Sequence, residues 1–223
     1  MTSNSKEYKN KIKKNISNSN AKIFVNPKIL NSKKHIEWFQ KVKFNAIICV
    51  YWPWLLKKEI FSSAKITVNF HPAYLPFNRG WYPHVFSFNN NTPFGVTLHQ
   101  IEKKADTGAI WVRKKLYLKP LETLNEIYIR SQEEIVKLFK KNWKKISSGQ
   151  IKPKKQIKVH NNYNSKKSVK QFDLIELQKN YLAKDLINQL RSRSFGNLSF
   201  SYFKKNNEKI YIKISLSKNK KFD

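Results

Sequence analysis

The chain has 223 residues, 40% of them hydrophobic, a formal net charge of +31 and a single cysteine. That length suits one domain, or one domain with a small appendage, and the apolar content excludes wholesale disorder despite the charge. An intrachain disulfide is excluded, no apolar run approaches the roughly 18 residues of a membrane span, and the polar N-terminus lacks the apolar core of a secretory signal, so a cytoplasmic protein without a membrane partner is expected. The charge points first to nucleic acid or another polyanion. Yet lysine outnumbers arginine roughly eightfold and is spread along the chain, whereas the arginine fork is the favoured reader of phosphates and bases. Compositional drift accounts best for the charge, ahead of attraction of an anionic small substrate and of nucleic-acid binding.

Residues 1–20 lack apolar periodicity and read as a polar basic arm. A short strand is expected over Lys22–Val25, ended by Asn26-Pro27, and a helix over Lys33–Lys41. Ala46–Val50 is a continuous apolar run, the pattern of a strand buried on both faces, which makes Cys49 a small buried hydrophobe. Further strands are expected over Ile66–Phe70, Gly95–His99 and Ala109–Leu118. Strands interleaved with helices predict an α/β sheet covered on both sides. The longest helix spans Leu124–Ile146. Thr123 caps it with Glu126 in a capping box, and Leu124, Ile127, Tyr128, Ile135, Leu138, Phe139 and Trp143 form one packing stripe. Residues 151–168 read as a linker between a main domain over 21–150 and a small C-terminal subdomain over 169–223. That subdomain should hold a helix carrying Leu182, Leu186, Ile187 and Leu190. A hairpin should follow, Ser199–Phe203 turning at Asn206-Asn207 into Lys209–Leu216, with Ile210, Ile212, Ile214 and Leu216 on one face.

Three of the five glycines lie between Gly80 and Gly108, so the tight turns gather there. Asn69-Phe70-His71-Pro72 ends a strand, and residues two apart share a face, so Asn69 and His71 project together. Pro72 keeps His71 extended and stops the ladder, which suits a site at the carboxyl edge of a sheet. An imidazole can manage an amine proton while an amide donates to a developing oxyanion. Asp106, in the turn Lys103-Lys104-Ala105-Asp106-Thr107-Gly108, could orient that imidazole. Spacing alone leaves a structural role open for each of the three.

The run Asn69-Phe70-His71-Pro72-Ala73-Tyr74-Leu75-Pro76, then Asn78-Arg79-Gly80, Gly95-Val96-Thr97-Leu98-His99 and Asp106-Thr107-Gly108, resembles the folate-dependent formyltransferase family. The hallmark of that family is N-x-H-P-x-x-L-P-x-x-R-G, then G-V-T-x-H, then D-x-G before a strand. The resemblance covers about Phe44 to Lys115 and extends more loosely to Leu216. It implies a Rossmann-like sheet flanked by helices, shortened at the N-terminus relative to the family, with a small C-terminal helix and hairpin, so that residues 21–150 become the catalytic domain. It makes Asn69, His71 and Asp106 the catalytic trio. It makes 10-formyltetrahydrofolate the co-substrate, held by Trp54, Leu55 and Leu56 and by the loop Ile101 to Ala105, with no metal. The implied reaction is direct attack of an amine on the formyl carbon. His99 and Arg79 are expected to shape loops rather than react.

The Arg79-Gly80-Trp81-Tyr82-Pro83-His84 run and the segment from Asp185 onward look like sugar N-formyltransferases of surface-polysaccharide biosynthesis. That resemblance implies a nucleotide-linked amino deoxysugar as acceptor, contacts from Arg79, Trp81 and His84, and a homodimer. Arg191 and Arg193 read as ordinary solvated charges at a helix end. Formylation of methionyl-tRNA, with tRNA as partner, and a non-catalytic basic relative of the family are the alternatives.

Overall fold

In the computed structural model, the described residues are 30, 32–160 and 162–218. The expected basic arm and the Lys22–Val25 strand lie outside them. Helix α1 (Lys33–Val42) leads into β1 (Ala46–Val50), and α2 (Lys58–Phe61) leads into β2 (Ile66–His71). The short β3 (Arg79–Gly80) and α3 (Pro83–Asn89) precede β4 (Phe94–His99), β5 (Ile110–Leu116) and the long α4 (Leu124–Ser147). Among the described residues the main sheet runs β1-β2-β4-β5, with β1 and β2 parallel and the other two pairs antiparallel.

Apolar clusters with helices lie on both faces of this sheet, as strands interleaved with helices require, although one face of β1 stays open. Alternation sends Val68 and Phe70 of β2 to one face, where they join Val96 and Leu98 of β4 and Leu124, Ile127 and Ile135 of α4 in a buried cluster. Leu138, Phe139 and Trp143 extend the α4 stripe along its margin. The capping box starts this helix: the Thr123 N–H donates to Glu126 Oε2 at 2.8 Å. On the opposite face, Cys49 packs with Phe39 of α1, Leu56 and Ile60, with Trp52 and Ile101 at the edge. Burial pushes the Cys49 thiol up to about 12, which makes it an inert hydrophobe.

Strand β1 corrects one expectation. Ile48 and Val50 remain 40% and 36% exposed, so the strand is not buried on both faces. Among the described residues β1 is the outer strand, and the α4 cluster takes in β2, β4 and β5 but no residue of β1.

Residues 151–168 do more than connect. Lys154 exchanges backbone hydrogen bonds with Ile110 at 2.8 Å, and β6 (Tyr163–Asn164) pairs in parallel with β3. After a 3₁₀ turn (Ser168–Phe172), α5 (Ala183–Arg193) packs on α3, followed by β7 (Ser194–Phe195) and β8 (Leu198–Ser199). Strands β9 (Tyr202–Lys205) and β10 (Glu208–Tyr211) form the expected hairpin, with Asn206 and Asn207 both left-handed as its tight turn demands. The second strand ends five residues earlier than predicted, and Ile210 is exposed while Ile212, Ile214 and Leu216 are half-buried.

Arg191 and Arg193 also depart from expectation, because both are buried. Arg191 Nε donates to the Glu122 carbonyl at 2.8 Å, and its guanidinium lies 4.9 Å from the Phe88 ring centroid. Arg193 Nε donates to Asp173 Oδ1 at 2.8 Å, with its guanidinium over Phe200. Their long apolar stems and planar heads suit them to this role, in which Arg191 pins α5 to the turn before α4.

Candidate active site

Strand β2 stops at His71 because Pro72 has no N–H to continue the ladder. The antiparallel register pairs Asn69 with His99 and His71 with Thr97, so Asn69, His71 and His99 share one face of adjacent strands. A register shift at Leu98/His99 then ends β4, and the chain turns through residues 100–109 before β5. In that turn Asp106 takes a left-handed conformation (φ 54°), one that Asp tolerates better than most residues.

The turn delivers the Asp106 carboxylate into the cluster. Its Oδ2 accepts from the Gly80 N–H at 2.9 Å. Its Oδ1 accepts from Asn69 Nδ2 at 3.3 Å and lies 3.4 Å from His99 Nε2 and 3.6 Å from His71 Nδ1. Gln156 holds the turn from outside, with Nε2 donating to the Asp106 and Gly108 carbonyls at 2.9 and 2.7 Å.

The carbonyls assign the ring protons. The Gln100 carbonyl lies 2.6 Å from His99 Nδ1, and a carbonyl only accepts, so Nδ1 carries the proton. His99 Nε2 is then free to accept from Asn69 Nδ2 at 3.0 Å. Likewise His71 Nε2 donates to the Asn78 carbonyl at 3.3 Å, which turns Nδ1 toward Asp106. Asn78 is itself buried and fastened through Nδ2 to Ser87 and Thr92.

Burial lowers the His71 pKa below its ordinary value, and the Asp106 charge opposes that only in part. For Asp106, burial alone would raise the pKa. A proton taken up by His71, together with the Gly80 N–H, outweighs it and holds the carboxylate well below the usual range. A neutral imidazole thus faces a committed carboxylate, an arrangement suited to receiving a proton and stabilising it once received.

Trp54 and Leu55 are exposed, forming an apolar shelf at the carboxyl end of β1. Leu56 is buried in the cluster against which Ile101 packs, and Trp54 lies edge-on to Trp52 at 5.1 Å. Trp52 Nε1 is a buried donor with no partner among the described residues. A flat heteroaromatic ring with acceptor atoms fits such a shelf and such an orphan donor, so these residues suit a folate. Ala105 is half-buried beside Asp106.

Of the three expected acceptor contacts, Arg79 sits next to Gly80, its Nε donating to Asn162 Oδ1 at 2.8 Å. Trp81 is half-buried with Lys166 over its ring. His84 stands apart, enclosed between α3 and α4, its Nε2 2.8 Å from Ser131 Oγ. Burial, reinforced by His71 whenever that ring is charged, pulls its pKa down to about 3. The folded chain therefore refuses a proton that an unfolded histidine accepts near pH 6.5. Stability from His84 is full above that value and declines as the pH falls toward 3. Between about pH 7.5 and pH 5 it should drop by about 2 kcal/mol in urea unfolding, and His84→Gln should flatten that slope.

Sequence reasoning missed the place of His99, expected to shape a loop and found between Asn69 and Asp106. Its signal was the G-V-T-x-H spacing, which puts it on the face of Thr97, the partner of His71. Gln156 and Asn162 carried no local signal, because their targets are distant carbonyls and the Arg79 side chain.

The formyl transferase family model matches residues 2–142, and the N-formyltransferase dimerization C-terminal domain model matches residues 169–218. A dTDP-4-amino-4,6-dideoxyglucose formyltransferase of Mycobacterium tuberculosis is 26% identical over 73% of this chain and 71% of its own length. A 4-N formyltransferase from Francisella tularensis superposes with a TM-score of 0.79 at 26% identity, covering 96% of this chain and 86% of that one. The formyltransferase PseJ from Anoxybacillus kamchatkensis has a TM-score of 0.57 at 27% identity, with 76% of this chain and 85% of that one covered. It was solved with UDP-4,6-dideoxy-4-formamido-L-AltNAc and tetrahydrofolate. With the family model spanning more than half of its residues, the chain belongs to the formyl transferase family.

Proposed function

We propose that this chain is a sugar N-formyltransferase that moves the formyl group of 10-formyltetrahydrofolate onto the amine of a nucleotide-linked amino deoxysugar. The observation that carries the reading is the convergence of Asn69 and His71 on Asp106 Oδ1, at 3.3 and 3.6 Å, in a largely buried cluster. Relatives and structural neighbours with sugar-acting names supply the acceptor class.

The co-substrate supplies an electrophilic formyl carbon. The shelf of Trp54 and Leu55, backed by the buried Leu56 and flanked by Ile101 and Ala105, would orient its flat ring and exclude water from one side. His71, kept neutral by burial, receives the proton that the attacking amine releases, and Asp106 stabilises the resulting imidazolium across 3.6 Å. Both Asn69 Nδ2 hydrogens are engaged within the cluster, one by His99 and one by Asp106. A developing oxyanion must therefore draw one away, and the carboxylate contact, the longer at 3.3 Å, is the one to yield. The match of residues 169–218 to a dimerization-type C-terminal domain supports a homodimer as the working assembly.

Mass spectrometry of mixtures of protein, 10-formyltetrahydrofolate and a panel of nucleotide-linked amino sugars tests the reading. A formylated sugar whose formation is lost in His71→Ala is the expected result. No formylated sugar from any member of the panel would remove the acceptor assignment.

A further inference from the structure

A neutral imidazole carries one ring proton, and His71 stands between two groups that would each take it. Nε2 lies 3.3 Å from the Asn78 carbonyl, and Nδ1 lies 3.6 Å from Asp106 Oδ1. The carboxylate is the stronger acceptor, because charge-assisted hydrogen bonds exceed neutral ones. With the proton on Nδ1 the ring would donate to Asp106. The lone pair left at Nε2 would then face the Asn78 carbonyl, out of reach of an incoming amine. The weaker acceptor has to win on position, so the placement of one backbone carbonyl decides whether His71 can act as a base.

That carbonyl is fixed from several directions. Asn78 is 4% exposed and takes a left-handed conformation (φ 53°), one that Asn tolerates better than most residues. Its Nδ2 donates to Thr92 Oγ1 at 2.7 Å and to Ser87 Oγ at 2.9 Å, which occupies both amide hydrogens. Ser87 Oγ donates onward to the Pro83 carbonyl at 3.1 Å, tying the group to α3. On the chain itself, the Arg79 N–H donates to the Asn162 carbonyl at 2.9 Å. Upstream, Thr97 Oγ1 donates to the Ala73 carbonyl at 2.7 Å and accepts from the Leu75 N–H at 3.2 Å, so the loop that carries Asn78 is held at both ends.

We propose that Asn78 is a positioning residue of the reaction: anchored through its side chain to Ser87 and Thr92, it holds its carbonyl at His71 Nε2 and keeps the lone pair of the ring at Nδ1. The proposal rests on the reading of His71 as the group that receives the amine proton. Asn78 falls on an unspecified position of the N-x-H-P-x-x-L-P-x-x-R-G pattern, so the resemblance assigns it no role.

Long-range proton–nitrogen NMR of protein with isotope-labelled histidine reads the tautomer without folate or acceptor, with His71 assigned by its loss in His71→Ala. At about pH 7.5 the wild-type ring should be neutral with its proton on Nε2. Thr92→Val removes one anchor at a half-buried position. It should move about two-thirds of the ring population to the Nδ1–H form and lower kcat about threefold, in proportion to the Nε2–H fraction that remains, with both KM values unchanged. Thr92→Ser should restore tautomer and rate together. Asn78→Gly keeps access to the left-handed backbone but loses both anchors, and it should lower the Nε2–H fraction and kcat about tenfold. If either variant fails to fold, the other decides alone. A wild-type ring that is charged or protonated on Nδ1 overturns the proposal. A folded variant that is slower yet keeps the wild-type tautomer also overturns it, since slowing alone marks a structural role. So does a tautomer shift with kcat unchanged, or a Thr92→Ser protein that restores neither. The expected tautomer shifts with no formylated sugar from any acceptor leave the lock standing and sink the acceptor assignment instead.

Discussion

Asp106→Asn is expected to lower kcat by about 10³ to 10⁴, or about 4–5.5 kcal/mol in the barrier, while leaving the fold intact. The reason lies in which atoms can donate. The carboxylate accepts from Gly80 through Oδ2 and from Asn69 through Oδ1, and Oδ1 also faces His99 Nε2 and His71 Nδ1, neither of which carries a proton in the neutral rings. An amide at this position has one accepting oxygen. The Gly80 N–H, at 2.9 Å, claims it, which turns the NH₂ group toward the three groups now served by Oδ1. That NH₂ then donates to His71 Nδ1, whose other nitrogen already donates to Asn78. His71 is left with no lone pair for an incoming proton and no charge to stabilise an imidazolium. Single-turnover kinetics, with circular dichroism as the check on folding, separates this from a structural failure. A variant that is folded yet keeps a tenth or more of the wild-type rate constant would remove Asp106 from the chemistry.

Gly108→Ala should cost about 3 kcal/mol of stability or more and take the activity with it. The Cβ it adds would stand 1.9 Å from the Gln100 carbonyl oxygen and 2.6 Å from its carbon. Both are backbone atoms that cannot rotate away. Gln100 is fixed from two sides, its N–H donating to Ala109 at 2.8 Å and its carbonyl receiving His99 Nδ1. The displaced backbone therefore carries His99 and the Asp106 turn with it, so the lost activity exceeds what the unfolded fraction explains. Urea denaturation beside residual activity of the folded fraction measures both effects. A wild-type midpoint in the variant would mean that the 100–109 turn relaxes more easily than its packing suggests.

Much of this was legible in the chain. The period of α4 and its capping box, the alternation of β2 and the crowding of glycine between Gly80 and Gly108 are local signals. Each had a local cause, and the structure shows the corresponding element. What failed to show depends on partners remote in sequence. The apolar run of β1 looks like a doubly covered strand because composition reports what a residue could bury, not whether a helix reaches it. Arg191 and Arg193 look like solvated helix-end charges because their partners Glu122, Lys119 and Asp173 lie on other elements. The trio was readable as far as the shared face of Asn69 and His71. His99 enters only through the register of β4 on β2, and Gln156 only through a segment whose composition resembles any polar connection.

All six residues of β4 are buried, and the strand is paired on both sides. Its amides should be among the last in the molecule to exchange with solvent, opening only when the whole domain opens. The β9–β10 hairpin is the opposite case: every residue of β10 is exposed and its one partner strand is half-buried at best. Such a unit opens at a small fraction of the global free energy. The two ends of the chain's function thus sit on different rungs of one stability ladder. Asn69, His71 and His99 ride on rails that outlast the local openings of the hairpin, so a protomer whose C-terminal strands have frayed still holds its reactive groups in register.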